Sequence, residues 1–377
     1  MDINIINVRT QTDLKKFIML PWEIYKGNIN WVPPLIKDMK KTLNPLINPD
    51  TREKECELFL FLKNGKPVAR IFTGINRMLN EKKNAQMGYF SLFECIDDTE
   101  ITKILFDRTF CWFKDKGISL IRGPVSIDGA DMDENKGLLT NAFDRPPVIM
   151  NSYNPKYYLK LFEEYGLKKD YDVFAYCLDP DKLFAKDPTK VIEYAKKKYS
   201  FRIDTLNLKM LENELKDIKY ILDLAVPEEW EDLTPPDINE IRSLAKGLIA
   251  YIDPDLVSIA RTNDNRPIGF AVAVPDYNQV LKHLNGRITP VSIIKYFRYK
   301  KRINCARALI MFVIPEYRKK GVSFAIYNQS ALNGLKKGYT WGEGSTIGED
   351  NTRMRTDIES IGAEHYKTYR IYKWEIN

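Results

Sequence analysis

Ala308-Leu-Ile-Met-Phe-Val-Ile314 leads into Pro315-Glu-Tyr-Arg318-Lys-Lys-Gly321-Val-Ser323, and that into a run from Phe324 to Lys337 closed by Gly338. An apolar run bounded by proline reads as a buried strand. Phe324, Ile326, Tyr327, Ala331, Leu332 and Leu335 then recur at helical spacing, with lysines and a glycine at the end. A short basic loop therefore sits where a strand hands over to a helix. The first N–H groups of a helix have no partner inside it, and the helix dipole favours negative charge there. Such a loop suits an anion; the plainer alternative is that Arg318-Lys319-Lys320 is a solvated run of charge.

Arg318-x-x-Gly321-x-Ser323 resembles the pyrophosphate loop of the GCN5-related N-acetyltransferases, written Gln/Arg-x-x-Gly-x-Gly/Ala. Strand, proline, loop and helix come in that family's order, and Ser323 is a small departure from glycine or alanine. The resemblance implies that Met311, Phe312 and Val313 lend their backbone to the pantetheine arm of acetyl-CoA or another acyl-CoA. It implies further that Arg318, Lys319, Lys320, Gly321, Val322 and Ser323 hold the pyrophosphate. Proteins of this kind often end Asn-x6-Tyr-x3-Gly-Phe, the asparagine touching pantetheine and the tyrosine protonating the departing thiolate. Asn351 and Gly362 keep the spacing, but Ile358 stands at the tyrosine and Ala363 at the phenylalanine. Tyr366, Tyr327 or solvent are then the proton sources left. The family's base is commonly a glutamate or a water near the parted central strands; Glu343, between Gly342 and Gly344, is the candidate. Its alternative is a loop-end carboxylate in water.

The rest of the chain frames this stretch. Its 377 residues suggest two domains, since single cores rarely grow beyond ~250–300 residues. The composition, 44% hydrophobic, is that of a globular protein. No run approaches the ~18 apolar residues that cross a bilayer. Met1-Asp-Ile-Asn begins no basic-then-apolar leader, and the five cysteines are scattered without C-x-x-C spacing. They read as reduced thiols, and the expected location is cytoplasmic. His283 and His365 are the only histidines, too few for a histidine metal site or a Ser-His-Asp triad, so no metal is expected.

In the first half, helices are expected at Asp13–Lys26 with Thr12 as cap, from Thr99 to Gly117, and at Pro155–Tyr165. Strands are expected at Leu58–Leu62, Pro67–Ile75, Gln86–Cys95, Ile118–Val125 and Val173–Leu178. The second half repeats the order, with strands at Phe201–Leu206, Leu256–Ala260, Pro267–Val274, near Tyr339, and Tyr366–Trp374. Its helices are Leu211–Ala225, Pro236–Ile249 and Asn351–Ile361. The halves also agree residue by residue. Phe113-Lys-Asp-Lys-Gly117 lines up with Leu335-Lys-Lys-Gly338, and Asn154–Gly166 with Asn351–Gly362. Tyr176 and Tyr372 then follow the glycine at equal distance in the last strand. This reads as a duplication. The expected fold is α/β (α+β), two acetyltransferase-like domains in tandem, each a mixed, largely antiparallel sheet flanked by helices. Residues 1–180 would be a degenerate N-terminal domain, 181–195 a linker, and 196–377 a C-terminal domain with the acyl-CoA loop. Only the second copy would bind coenzyme. In the first, the matching place reads Phe93-Glu-Cys-Ile-Asp-Asp98, whose carboxylates would repel a pyrophosphate.

Two stretches suit an acceptor. Pro227-Glu-Glu-Trp230-Glu-Asp-Leu-Thr234 lies where acetyltransferases recognise their acceptor; Glu229 would draw a cationic amine and Trp230 offer it a ring face. A solvated connection is the alternative. Tyr277 and Asn278 belong to Pro275-Asp-Tyr-Asn278, one of several segments that resemble an uncharacterised tandem acetyltransferase-like bacterial family. Between Asp276 and Glu316 there is no acidic residue, while Lys282, Arg287, Lys295, Arg298, Lys300, Lys301, Arg302 and Arg307 all fall there. This insertion suits the coenzyme's 3′-phosphate, an anionic acceptor, RNA or an anionic membrane surface, or else is an amphipathic helix with a solvated basic face. The net charge of +7 is modest for a nucleic-acid binder. The activity expected is acyl-CoA-dependent N-acylation of an amine. The alternatives are aminoacyl transfer from charged tRNA, as in peptidoglycan-bridge enzymes, and a non-catalytic acyl-CoA-binding protein.

Overall fold

The computed structural model describes residues 3–44, 55–127, 135–179, 181–182, 187–226, 235–249 and 251–376. In chain order, the first half gives β1 (Ile3–Asn7), α1 (Gln11–Ile24), α2 (Ile36–Leu43), β2 (Glu55–Lys63), β3 (Lys66–Ile75) and α3 (Arg77–Lys83). Then come β4 (Met87–Cys95), α4 (Thr99–Asp115), β5 (Leu120–Gly123), β6 (Leu138–Leu139), α5 (Tyr157–Tyr165) and β7 (Lys168–Leu178). The second half gives α6 (Thr189–Tyr199), β8 (Phe201–Thr205), α7 (Leu211–Ala225), α8 (Ile238–Leu248), β9 (Val257–Thr262) and β10 (Pro267–Pro275). It continues with α9 (Asn278–Leu284), α10 (Pro290–Lys300), β11 (Cys305–Val313), α11 (Val322–Lys336), β12 (Trp341–Gly348), α12 (Thr352–Ser360) and β13 (Glu364–Glu375).

Local chemistry sets most of these bounds. Thr10, not Thr12, caps α1: its side chain accepts the Asp13 N–H. Helix α8 opens on a capping box between Asp237 and Glu240. Asn64 and Gly65, both with positive φ, turn β2 into β3. In β2 the side chains alternate: Phe59 and Phe61 enter one core cluster, and Leu58, Leu60 and Leu62 enter another. The sheet is thus covered on both faces, by α4 and α5 on one side and by α1 on the other.

The chain packs as two compact units, Met1–Val173 with Asn278–Lys301 and Lys367–Asn377, and Phe174–Tyr277 with Arg302–Tyr366. In the first unit the strand order is β1-β2-β3-β4-β5-β13; in the second it is β8-β9-β10-β11-β12-β7. The pairs β1–β2, β2–β3, β3–β4 and β5–β13, like β8–β9, β9–β10 and β10–β11, are antiparallel, and each sheet has a central parallel pair, β4 with β5 and β11 with β12. The six strands of the two orders correspond one to one, as a duplication requires, while β6 and the helices outside the sheets are not all matched.

The compact units do not follow a division at residue 180. Each takes its sixth strand from the other half of the sequence: Tyr372–Glu375 of β13 pair with Leu120–Gly123 of β5, while the end of β7 lies beside β12. Tyr372 is accordingly buried with Phe162 in the first unit, and Tyr176 with Ile347 and Ile358 in the second. Residues 181–195, expected as linker, include the first turns of α6, whose Ile192 and Ala195 enter the second core.

Candidate acyl-CoA site

Strand β11 is irregular in the middle. Its register with β10 jumps between Val272, opposite Ile310, and Ala273, opposite Ala308, so that Leu309 bulges. Its parallel register with β12 runs from Cys305–Trp341 to Ala308–Gly344 and ends there. Beyond that point Met311, Phe312 and Val313 pair with Ala271, Phe270 and Gly269 of β10. The two central strands therefore part after Ala308, and Ile310 is exposed on the far segment. A strand released on one side can lend its backbone to an extended ligand, as sheet edges do for peptides.

The loop that follows is shaped by two left-handed residues, Lys319 at φ +61° and Gly321 at φ +78°. Glycine is favoured at 321 by its positive φ, and a Cβ there would also lie a tight 3.1 Å from the Cβ of Ala195 on α6. No side chain caps the first turn of α11, which starts at buried Val322 with Ser323 half-buried. Alternating left- and right-handed backbone at an uncapped helix start forms a concave set of N–H groups suited to an anion. Arg318 plays another part than expected. Its Nε donates to the Val313 carbonyl at 3.1 Å and its Nη2 to the Ala225 carbonyl at 2.8 Å, fastening the loop to the strand end and to α7. Lys320 lies over the rings of Tyr317 and Tyr199, and Lys319 is exposed. Glu316, the one carboxylate in the loop, is paired with Arg266.

Glu343 sits on β12, opposite Arg307, one residue before the strands part, and is fully buried. Ser345 Oγ donates to its Oε1 at 2.6 Å, and the Tyr366 hydroxyl donates to its Oε2. Arg307, also fully buried, donates from Nε to Ser345 Oγ at 2.9 Å and from Nη2 to the Ser345 carbonyl at 3.2 Å. A buried arginine and a buried carboxylate sharing one serine is a compensated arrangement, since either charge alone would be costly there. Half-buried Tyr366 is the member of the set nearest solvent. The sequence offers Glu343 and Tyr366, which the structure brings into hydrogen-bond contact, but not Ser345, and it counts Arg307 with the basic insertion. Arg307 is instead fully buried on β11, on the same face as buried Cys305.

No family model matches the chain. It is 29% identical over 385 residues to a bacterial ceramide synthase of Caulobacter vibrioides, across 99% of this chain and 97% of that one. Protein YghO of Escherichia coli K12 is also 29% identical, over 373 residues, 97% of this chain and 94% of its own. Among solved structures, a tandem acetyltransferase-fold protein from the clavulanic acid biosynthesis pathway matches 99% of this chain and 98% of its own, with a TM-score of 0.59 at 10% identity. A GCN5-related N-acetyltransferase of Sphaerobacter thermophilus matches 99% and 95%, with a TM-score of 0.55 at 10% identity. The chain has the tandem GCN5-related N-acetyltransferase fold.

Within that tandem fold the first unit carries the same parting of strands, but the protein closes it. The β4–β5 register ends at Tyr89–Arg122, and the chain then stays against β4. The Val125 N–H donates to the Phe90 carbonyl at 3.0 Å, Ser91 Oγ donates to the Val125 carbonyl, and the Tyr89 hydroxyl to that of Ile127 at 2.9 Å. The helix start that matches the loop of the second unit is capped by Asp98, which accepts from Glu100 and Ile101. The two copies therefore differ at the same place, with a local cause in each.

Asn351 caps α12, its side-chain oxygen accepting the Met354 N–H at 3.1 Å. Ile358 is buried, and its Cδ1 would lie 2.5 Å from a Cβ on Gly344, so an aliphatic side chain fills the place of the family's tyrosine. The Tyr327 hydroxyl faces the Met354 sulfur, and burial pushes its pKa up. Tyr277 is buried edge-on to Tyr251, and Asn278 is buried with its amide donating to the Pro147 carbonyl at 2.9 Å. Both side chains are packed inside the protein, and neither stands open at a surface. Glu229 and Trp230 lie outside the described residues. Among the described residues no group of three or more His, Cys, Asp or Glu could hold a metal ion.

Proposed function

We propose that the chain is an acyl-CoA-dependent N-acyltransferase whose second unit binds the thioester along β11 and its diphosphate at the 318–323 loop. The observation that carries this is the contrast between copies: parted strands and an uncapped, left-handed loop in one, a filled parting and an Asp98-capped helix in the other. The acceptor assigned is the amine of a long-chain, sphingoid-type base. Its support is the likeness to the Caulobacter ceramide synthase, which extends over nearly the whole length of both chains.

The chemistry asked of the chain is modest. The amine nitrogen attacks the thioester carbonyl, a C–N bond forms, the C–S bond breaks, and one proton leaves the nitrogen. Glu343 takes that proton, through Tyr366 or directly, and the departing thiolate is protonated from solvent. Buried Arg307 and Ser345 hold the carboxylate in one orientation. Most of the acceleration comes from holding amine and thioester together.

The test is incubation of the purified protein with sphinganine and with short amines, each against acyl-CoAs of increasing chain length, reading free CoA and amide by mass spectrometry. Amide formation confined to sphinganine, and stronger with longer chains, is expected. A second reading, acyl-CoA binding without turnover, is favoured by Ile358 in place of the usual acid; tight binding with no amide from any amine would establish it.

A further inference from the structure

Helix α10 faces the wrong way for a helix in a water-surrounded protein. Amphipathic helices bury their apolar stripe, as α4 does with Ile101, Leu105, Phe106, Phe110 and Phe113. The buried residue of α10 is Ser292, and the stripe it begins continues through half-buried Tyr296 and Tyr299, the latter stacked on His283. The opposite stripe is apolar and open. Val291 is 63% exposed, Ile293 47%, Ile294 71% and Phe297 62%, with Ile288 just before the helix at 57%. Contiguous exposed apolar side chains of this size mark an interaction surface.

Charge identifies the partner. Arg287, Lys295, Arg298 and Lys301 are exposed around the apolar residues, and no aspartate or glutamate occurs between Asp276 and Glu316. The patch is one short helix with its apolar side chains exposed. A protein interface ordinarily carries a rim of mixed polar groups, and nucleic-acid binding rests chiefly on phosphate-contacting cations, for which a net charge of +7 is modest. Apolar side chains flanked only by basic ones fit the boundary of a bilayer, where the former enter the acyl region and the latter meet anionic headgroups. Among the described residues no helix is long and apolar enough to cross a membrane, so the association would be with the surface.

We infer that α10, with Ile288 ahead of it, docks the first unit on an anionic lipid bilayer. The inference stands apart from the acyl-transfer proposal, using no residue of the second unit. Thr289 caps the helix through a box with Ser292, so the helix is formed before it meets lipid.

The experiment is co-sedimentation of the full chain with vesicles of phosphatidylcholine alone and of phosphatidylcholine with phosphatidylglycerol, at low and at physiological salt. The variants are Ile294→Asp/Phe297→Asp and Arg298→Glu/Lys301→Glu, all at exposed sites, with circular dichroism to establish folding. Binding to the anionic vesicles only, reduced about tenfold or more by either pair, is expected. No binding to anionic vesicles overturns the inference. So does loss in the charge pair with none in the apolar pair, which would mean adsorption without insertion. Sedimentation equilibrium serves as a second readout: a dimer in the parent that the apolar pair abolishes, without vesicle binding, would assign the face to a second copy of the chain instead.

Discussion

Glu343 is the residue on which the proposed chemistry turns, held on one oxygen by Ser345 and on the other by Tyr366. Glu343→Gln should lower kcat about 100-fold or more while leaving acyl-CoA affinity unchanged, since a general base acts in the transition state. Tyr366→Phe should cost less if the base takes the proton directly. Steady-state kinetics alongside calorimetry separates the two effects. Glu343 stood out because glycines isolate it at a strand end; the setting of Arg307 was not legible, because in sequence it follows the exposed basic run Lys300-Lys301-Arg302, while its burial is set by pairing to β12. A second carboxylate makes a stability prediction. Glu94, beside Arg70 and accepting from Tyr158 at 2.7 Å, is pushed up by burial to about 7 from a usual 4.5. A carboxyl that holds its proton more tightly when folded stabilises the fold below its unfolded pKa, and that contribution is lost as pH rises through the folded value. The urea midpoint should therefore fall between about pH 5 and pH 8, and the Glu94→Gln variant should show a flatter profile. Equal slopes in the two proteins would remove Glu94 as the cause.

Two helix starts that correspond by position have opposite ends built onto them. Asp98 satisfies the N–H groups of α4, whereas Gly321 leaves those of α11 without a side-chain cap. Asp98→Ala should cost about 1 kcal/mol of stability, the usual value of a cap, read as a lower urea midpoint, and should leave ligand binding untouched. Asn351→Ala should behave likewise for α12, because its side-chain oxygen is already spent on Met354; a loss of acyl-CoA affinity beyond the loss of stability would give it a ligand contact as well. At this scale the sequence was read well where one signal dominated, as in the Asn64-Gly65 hairpin and in α4. It was misread over residues 181–195, where two prolines and a lysine-rich run concealed α6. Only Ile192 and Ala195 of that helix are buried, too little to leave a clear period.

The duplication could be seen in one chain, but not that the copies exchange their last strands. Tyr176 and Tyr372 stand at equal distances after matching glycines, so either partnering satisfies the same spacing. Only pairing decides it, and β13 completes the first sheet while the end of β7 joins the second. A fragment of residues 1–180 should therefore fail to fold, since β5 would lack its neighbour and the core would lack Tyr372. Cooperative unfolding of that fragment alone, followed by circular dichroism, would contradict the exchange.

The account as a whole depends on where a diphosphate can sit, and titration calorimetry asks this most directly. Acyl-CoA should bind the parent chain, bind the Asp98→Ala variant equally, and bind Gly321→Glu at least about tenfold more weakly, because a side chain there is strained and its carboxylate repels the ligand. Unchanged affinity in Gly321→Glu, or no binding to the parent at all, would contradict it.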